Sequence, residues 1–233
     1  VKPDDAIVSV VAGDVSCTGA LVAEDLVLTA HHCISMRDAR GRAMPHDRSP
    51  TEISVHLGDG DLPWAEVRVR AIVAPPCGHR SGPGDLAILV LAHKLAGIPA
   101  LTPRFEAPPQ LGESITPFGF GRCAHTSRPE LRVQRQAGAV ARVTAWEFVA
   151  PASICPGDSG GPALVRRTEQ RGEQPLVVSE LIGVVSASAM DDDDRTEATS
   201  VFTRVDAWRA LFATAREVAA GASPSELPPS TCE

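Results

Sequence analysis

The chain has no tyrosine, and lysine occurs only at Lys2 and Lys94, so positive charge rests on arginine. Both features read as compositional bias and carry no chemistry. Other absences restrict function more. There is no excess of positive charge: the formal net charge is -7 over 233 residues, which leaves no electrostatic case for nucleic acid or an anionic membrane. No apolar run is long enough to span a bilayer. None of the six cysteines lies in a Cys-x-x-Cys pair, which argues against a structural zinc site. The first residues, "VKPDDAIVSVV", lack a basic region followed by a long apolar one, so they are not read as a signal peptide. They read as the start of a mature or trimmed chain. No internal repeat is evident.

Of the residues present, 43% are hydrophobic, enough for one large core or two small ones. Cys17, Cys33, Cys77, Cys123, Cys155 and Cys232 are even in number and widely spaced, which predicts three disulfides and an oxidising compartment, secreted or periplasmic. Short apolar runs alternate with turn residues at 6–12, 19–30, 52–58, 65–74 and 85–92. They resume after a Pro-rich connector at 113–121, 137–146, 161–166, 176–188 and 200–205. This spacing predicts an all-β sandwich or barrel, and two similar sets around a linker predict two barrels. One helix is expected at the end, in "DAWRALFATAREVAAG". There Trp208, Leu211, Phe212, Ala215 and Ala219 share a face, Asp206 is placed to cap the start and Gly221 to end it.

Three stretches can carry chemistry. "LTAHHC" (28–33) places His31 and His32 at the end of an apolar strand. "GDLAILVL" (84–91) opens a buried strand with Asp85. "CPGDSGGP" (155–162) puts Ser159 on a loop too rich in glycine and proline for helix interior or a comfortable strand. Taken singly, each has an ordinary structural explanation: packing, a strand-start turn, a hairpin loop. Taken together they meet a chemical requirement. A serine hydroxyl is a weak nucleophile that needs a general base, and the base needs an orienting carboxylate.

With these motifs, "GVVSAS" (183–188) and "VFTRVDAW" (201–208), the sequence resembles the chymotrypsin/trypsin-like serine proteases from about Cys17 to Trp208. The resemblance implies two six-stranded antiparallel Greek-key barrels and a C-terminal helix. It implies barrels at 1–100 and 113–205, a linker at 101–112 and a helix with tail at 206–233. The first barrel would carry His32 and Asp85, the second Ser159. His32 is then the general base, Asp85 its orienting group and Ser159 the nucleophile. The backbone amides of Gly157 and Ser159 make the oxyanion hole. His31 replaces a small residue and is assigned to packing or solvent contact. Ser186 supports Asp85, and Ala187 with Ser188 forms the edge that pairs with an extended substrate. Ser153 sits at the expected pocket base, and Ser188 and Ser200 on its walls, which predicts cleavage after small or medium uncharged residues. The implied partners are a protein or peptide substrate and protein protease inhibitors, acting on a monomer without a cofactor. A non-catalytic or latent, zymogen-like relative that binds or regulates is the alternative.

The resemblance also implies a Cys17–Cys33 bridge. Cys155 lacks its usual partner in the family, so Cys123–Cys155 is expected, leaving Cys77–Cys232; sequence alone leaves these two pairings open. Many relatives begin Ile-Val-Gly-Gly, and that free amine pairs with the aspartate before the nucleophile, here Asp158. This chain begins "VKPDD", with sixteen residues before Cys17, so Asp158 needs another partner: Val1 itself, an internal arginine, or a zymogen-like arrangement. The acidic run at 191–194 reads as a solvated loop, as a lip attracting basic substrates, or as a protease-sensitive site ending at Arg195. The acidic stretch 58–66 lacks an EF-hand spacing, and no metal is expected to be required.

Overall fold

The computed structural model describes residues 3–58, 63–123, 131–171, 174–189 and 199–223. The first half contains β1 (Ile7–Ala12), β2 (Val15–Ala23), β3 (Leu26–Thr29), the one-turn helix α1 (His31–Ile34), the hairpin β4 (Ser35–Arg37) and β5 (Ala43–Asp47), then β6 (Ile53–Leu57), β7 (Ala65–Val73) and β8 (Ala87–Leu91). Six of these close into a barrel in the order β1-β2-β3-β8-β7-β6. Alternation explains which face points in: Ile53, Val55 and Leu57 of β6 are buried, as are Val67 and Val69 of β7, while Glu66, Arg68 and Arg70 face water. All five residues of β8 are buried. The run 19–30 is not one strand. It turns at the polar pair Glu24–Asp25, so that Ala23 faces Leu26.

The second half contains β9 (Thr102–Pro103), β10 (Ser114–Gly119), β11 (Val133–Gln134), β12 (Gly138–Ala139), β13 (Arg142–Val143), β14 (Glu147–Pro151), β15 (Pro162–Arg171), β16 (Gln174–Ala189) and β17 (Thr199–Arg204). The path β10-β15-β16-β17-β14 is continuous. Residues 138–143 complete the ring as a strand broken in the middle: Ala139 pairs with Ser114 of β10, and Arg142 with Val149 of β14. At the break, Val140 N–H donates to Glu113 and Ala141 N–H to Val149, so the backbone changes partner between adjacent residues. The helix α2 (Arg209–Ala219) packs Leu211, Phe212, Ala215 and Val218 into the core that fills the first barrel. Asp206 does not cap it. That carboxylate is taken by Arg204 at 2.5 Å and begins a 3-10 turn, Asp206–Trp208. Gly221 ends the helix as expected, its amide donating to the Val218 carbonyl, and Arg70 donates to the carbonyls of both Val218 and Ala219. No helix among the described residues is long and apolar enough to cross a membrane.

The connector between the halves is fixed by charge. Arg104, its side chain 5% exposed, meets both oxygens of Glu113 at 2.6 and 2.8 Å, and Glu180 lies 3.5 Å away. Burial tends to raise the Glu113 carboxyl. Hydrogen bonds from Arg104, the Gln110 amide and Arg167 outweigh it and hold the group below its ordinary 4.5. Removing one member of a buried pair strands the other, which costs about 3–5 kcal/mol. Arg104 would keep the Pro108 carbonyl and the more distant Glu180, so Glu113→Ala is expected to cost less than that full amount at pH 7, on the order of 1–3 kcal/mol, read as a lower urea midpoint. Because the folded value is depressed, the stabilisation is present above the unfolded value and fades as pH falls through the folded one. The wild type should thus lose its advantage over Glu113→Ala on acidification. A gap between the two that is constant down to pH 2 would contradict this.

Candidate active site

His32 lies on α1, directly after β3, and Asp85 immediately precedes the buried segment that becomes β8. Antiparallel pairing of β3 with β8, Thr29 opposite Ala87, brings the two ends together. Asp85 is fully buried and accepts three hydrogen bonds: His32 Nδ1 at 2.8 Å, the His32 amide at 2.9 Å and Ser186 Oγ at 2.5 Å. A carboxylate oxygen only accepts, so the hydrogen is on Nδ1 and His32 Nε2 presents its lone pair. The Asp85 carbonyl is held by Thr203 Oγ1 at 3.0 Å. It is thus His32, not His31, that faces the carboxylate.

Ser159 lies on the loop between β14 and β15. Its carbonyl accepts from the Thr18 amide at 2.8 Å and lies 3.7 Å from Cys33 Sγ, next to His32. Among the described residues Ser159 Oγ has no hydrogen-bond partner, and the nearest polar contact of His32 Nε2 is Cys33 Sγ at 3.8 Å. The hydroxyl–imidazole hydrogen bond is therefore not made here, and catalytic bonds of this kind often tighten only in the complex with substrate. The amides of Gly157 and Ser159 likewise have no acceptor among the described residues, although the Asp158 amide between them donates to Cys155. Gly157 has φ +101° and Gly160 φ +83°, values that exclude most side chains. At Gly160 a Cβ would also overlap the Thr18 carbonyl and Thr29 Oγ1.

Two braces on this loop have no sequence motif. Thr18, fully buried on β2, donates through Oγ1 to the Gly157 carbonyl at 2.8 Å and accepts from the Phe120 amide at 3.0 Å. Arg135 supplies the counter-charge for Asp158. Its Nη2 donates to Asp158 Oδ1 at 2.8 Å and to the Gly121 carbonyl at 2.6 Å, while Nε makes a 2.7 Å charge contact with Oδ2, outside hydrogen-bond alignment. The Gly121 and Cys155 amides complete the Asp158 shell, each at 2.8 Å. Of the partners the sequence left open for Asp158, the structure has an internal arginine.

A cavity of about 410 Å³ opens beside Ser159, lined by Ile154, Cys155, Pro156, Ala187 and Ser188. None of its described lining residues is charged. Among the described residues Ser188 Oγ, buried in its wall, has no partner. Ser153 lies instead in a neighbouring cavity with Gln136–Ala139 and Pro151. Ser200 is fully buried behind the wall, paired across strands with Ser188, and its hydroxyl donates to the Ala152 carbonyl. Ile154 was not expected at this wall. Beyond Val184 no described strand pairs with the other edge of β16, so the edge at Ala187–Ser188 is open.

Two bridges are present as expected: Cys17–Cys33 (Cα–Cα 6.2 Å) and Cys123–Cys155 (5.2 Å). Cys77 is also disulfide-bonded, while Cys232 lies outside the described residues, as do the acidic run 191–194, Arg195 and residues 59–62. His31 is fully buried and held by polar contacts, away from solvent: its Nδ1 lies 2.5 Å from the Cys77 carbonyl and its Nε2 2.7 Å from Asp47 Oδ1. The His79 ring packs against it, tilted by 40° with centroids 4.0 Å apart. Burial first, then the neighbouring His31, hold the His79 imidazole below its ordinary 6.5.

A closed β-barrel, a second ring of strands and a terminal helix define the chymotrypsin-like class, and the buried carboxylate–imidazole pair beside a glycine-rich serine loop falls where the two rings meet. The chain belongs to the trypsin family, whose model, described as Trypsin, matches residues 3–211. No curated protein matches the chain at a significant level.

Proposed function

We propose that this trypsin-like serine protease is an active endopeptidase that works through Ser159, His32 and Asp85. The observation that carries the reading is the Asp85–His32 pair, which fixes the imidazole tautomer with its lone pair available, next to a loop whose two flanking amides have no acceptor. Ser159 Oγ attacks the peptide carbonyl and gives its proton to His32 Nε2. The carbonyl oxygen becomes negative between the Gly157 and Ser159 amides. His32 then protonates the departing amine, and water, activated by the same base, releases the acyl group. Asp85 stays ionised and stabilises the imidazolium, and Ser186 holds Asp85. A peptide pairs along Ala187–Ser188 and places the side chain before the cleaved bond in the uncharged cavity. Among the described residues of this cavity an arginine or lysine would lose its hydration and meet only hydroxyl and apolar groups. Ile154, Pro156 and Ala187 suit a small or medium apolar side chain, such as Ala, Val or Leu. The disulfides support an oxidising compartment, and from them we infer secretion or export to a periplasm.

The open Ser159–His32 hydrogen bond is the one observation that favours a latent form instead. Labelling with a fluorophosphonate, followed by intact mass, separates the readings. Modification of Ser159 in the untreated protein is expected. Labelling only after a limited trypsin cut would mean latency, and none at all would mean a non-catalytic relative. A peptide library varied only before the scissile bond should then show cleavage after small and medium apolar residues. Turnover confined to Arg and Lys would overturn the assignment of the cavity.

A further inference from the structure

We propose that His31, Asp47 and His79 form a binding site for a divalent transition ion of the zinc type, separate from the hydrolytic centre. Their ligand atoms, two imidazole nitrogens and one carboxylate oxygen, all lie within 4.8 Å of one another. The strongest observation is electrostatic. The Cys77 carbonyl can only accept, so His31 carries its hydrogen on Nδ1 and leaves a lone pair on Nε2. Facing that lone pair at 2.7 Å is Asp47 Oδ1, another electron-rich atom, and His79 Nε2 approaches the same oxygen at 3.2 Å. Two lone-pair atoms, His31 Nε2 and Asp47 Oδ1, do not face each other at this distance without a positive centre between them, a proton or a metal ion, and His79 Nε2 stands beside the same oxygen, able to ligate in the tautomer that leaves it unprotonated. A backbone carbonyl on the far nitrogen is also the partner that orients metal-binding histidines and sets their tautomer.

The donor set selects the ion. Two imidazoles and one carboxylate suit zinc and its neighbours, whereas calcium and magnesium need an all-oxygen shell. Bonds of about 2.0–2.1 Å in a tetrahedron set ligand atoms about 3.3 Å apart. His31 Nε2 and Asp47 Oδ1, now 2.7 Å apart, therefore need to separate by about 0.6 Å, whereas His79 Nε2, 3.2 Å from that oxygen, needs almost no change there, and the two imidazole nitrogens lie within 4.8 Å of each other. Access is from the Asp47 side, since that side chain is 31% exposed while His31 is sealed and His79 13% exposed. A fourth position is left for water. The framework is already assembled: Asp47 ends β5 and pairs with Ser35, and Arg80 Nε donates to the Ala43 carbonyl, joining the segment of His79 to the same hairpin. An ion here would cross-link β5, the segment around Cys77–His79 and the turn that carries His32. The other nearby group of potential ligands, Cys17, Cys33 and His32, is no competitor, because its two sulfurs form a disulfide.

The test uses the whole protein after chelation and dialysis. Zinc chloride is titrated by calorimetry and cobalt(II) by visible absorption. One equivalent of zinc, a tetrahedral cobalt spectrum and a higher Tm in zinc are expected. Loss of a partner that merely orients a ligand costs about 10- to 100-fold in affinity, so removing a ligand outright in His79→Ala or Asp47→Asn should cost at least about 100-fold. His32→Ala should bind zinc as the wild type does. His46→Ala, which removes an imidazole whose charge is felt at His79, should do so as well. Near-ultraviolet circular dichroism of each variant checks its fold. Because His79 is at the surface of the cluster, its replacement tests the site even if Asp47→Asn disturbs the hairpin. Absence of a one-equivalent isotherm would show that a proton alone bridges these atoms and would overturn the proposal. So would undiminished binding in His79→Ala, or loss of binding in His32→Ala or His46→Ala. These readouts are independent of catalysis, so they stand even if Ser159 proves inert.

Discussion

Ser159→Ala is expected to lower peptide hydrolysis by on the order of 10⁶-fold, the loss seen when the nucleophile of such a triad is removed. His32→Ala should cost about as much, and the two changes together little more than either alone, because base and nucleophile act as a unit. The fold should survive both. Ser159 Oγ makes no hydrogen bond among the described residues, so its removal strands no partner. His32 is 15% exposed and leaves Asp85 still bonded to Ser186 and to its own backbone amide. The measurement is kcat/KM on a peptide ester and an amide, with circular dichroism as the folding control. Ordinary turnover by Ser159→Ala would refute the triad. His31→Ala, by contrast, should retain turnover well above either variant. If His31 proved to be the essential histidine, the pairing of β3 with β8 would be wrong by a residue.

Arg135→Ala should be the next most damaging change, and through a different route. Asp158 is almost fully buried, and two backbone amides would then be its remaining donors. An uncompensated buried carboxylate costs about 3–5 kcal/mol, so a large fraction of the stability is at risk. The residue lies between Gly157 and Ser159. If Asp158 moves toward water, both amides move with it. Loss of one oxyanion donor costs about 100- to 1000-fold in kcat. We expect at least that loss in kcat, with slower fluorophosphonate labelling and a smaller change in KM. Arg135→Lys should fall between, since a lysine keeps the charge but not the fork that reaches both Asp158 and the Gly121 carbonyl. A kcat unchanged in Arg135→Ala would show that the two amides alone hold the loop. The ion pair also bears on latency. The Asp158 carboxylate is engaged by Arg135, the kind of counter-charge that a terminal amine supplies in many relatives.

What could be read from sequence was what local spacing encodes. Strands announced themselves through alternation, and the three motifs carried the elements of the site because each is contiguous. The run 19–30 misled in length only, because a two-residue polar turn between apolar stretches leaves little trace. Asp206 was misread for a reason of charge: Arg204, two residues earlier, competes for the carboxylate that a helix start would use. Arg135 was invisible, since its partner is 23 residues away and the intervening chain has no recognisable pattern. Thr18 reaches Gly157 across 139 residues and looks in sequence like any strand threonine. The lining of the cavity beside Ser159 depends on which way side chains point around a bulge between Val185 and Ala187. Counting residues along the chain could not foresee that Ile154 would line it and that Ser153 would fall in the adjoining cavity.

The contacts between the two rings of strands also bear on how the chain is made. His32 and Asp85 come from the first ring, while Ser159, Gly157 and Ser186 come from the second. Thr18 and Ser186 each cross the boundary to hold a group belonging to the other half. On the proposed mechanism neither half by itself holds a complete hydrolytic centre. A chain emerging in order, N-terminal portion first, presents an imidazole and a carboxylate without a nucleophile. Reactivity toward a fluorophosphonate is therefore expected only once the two halves have docked.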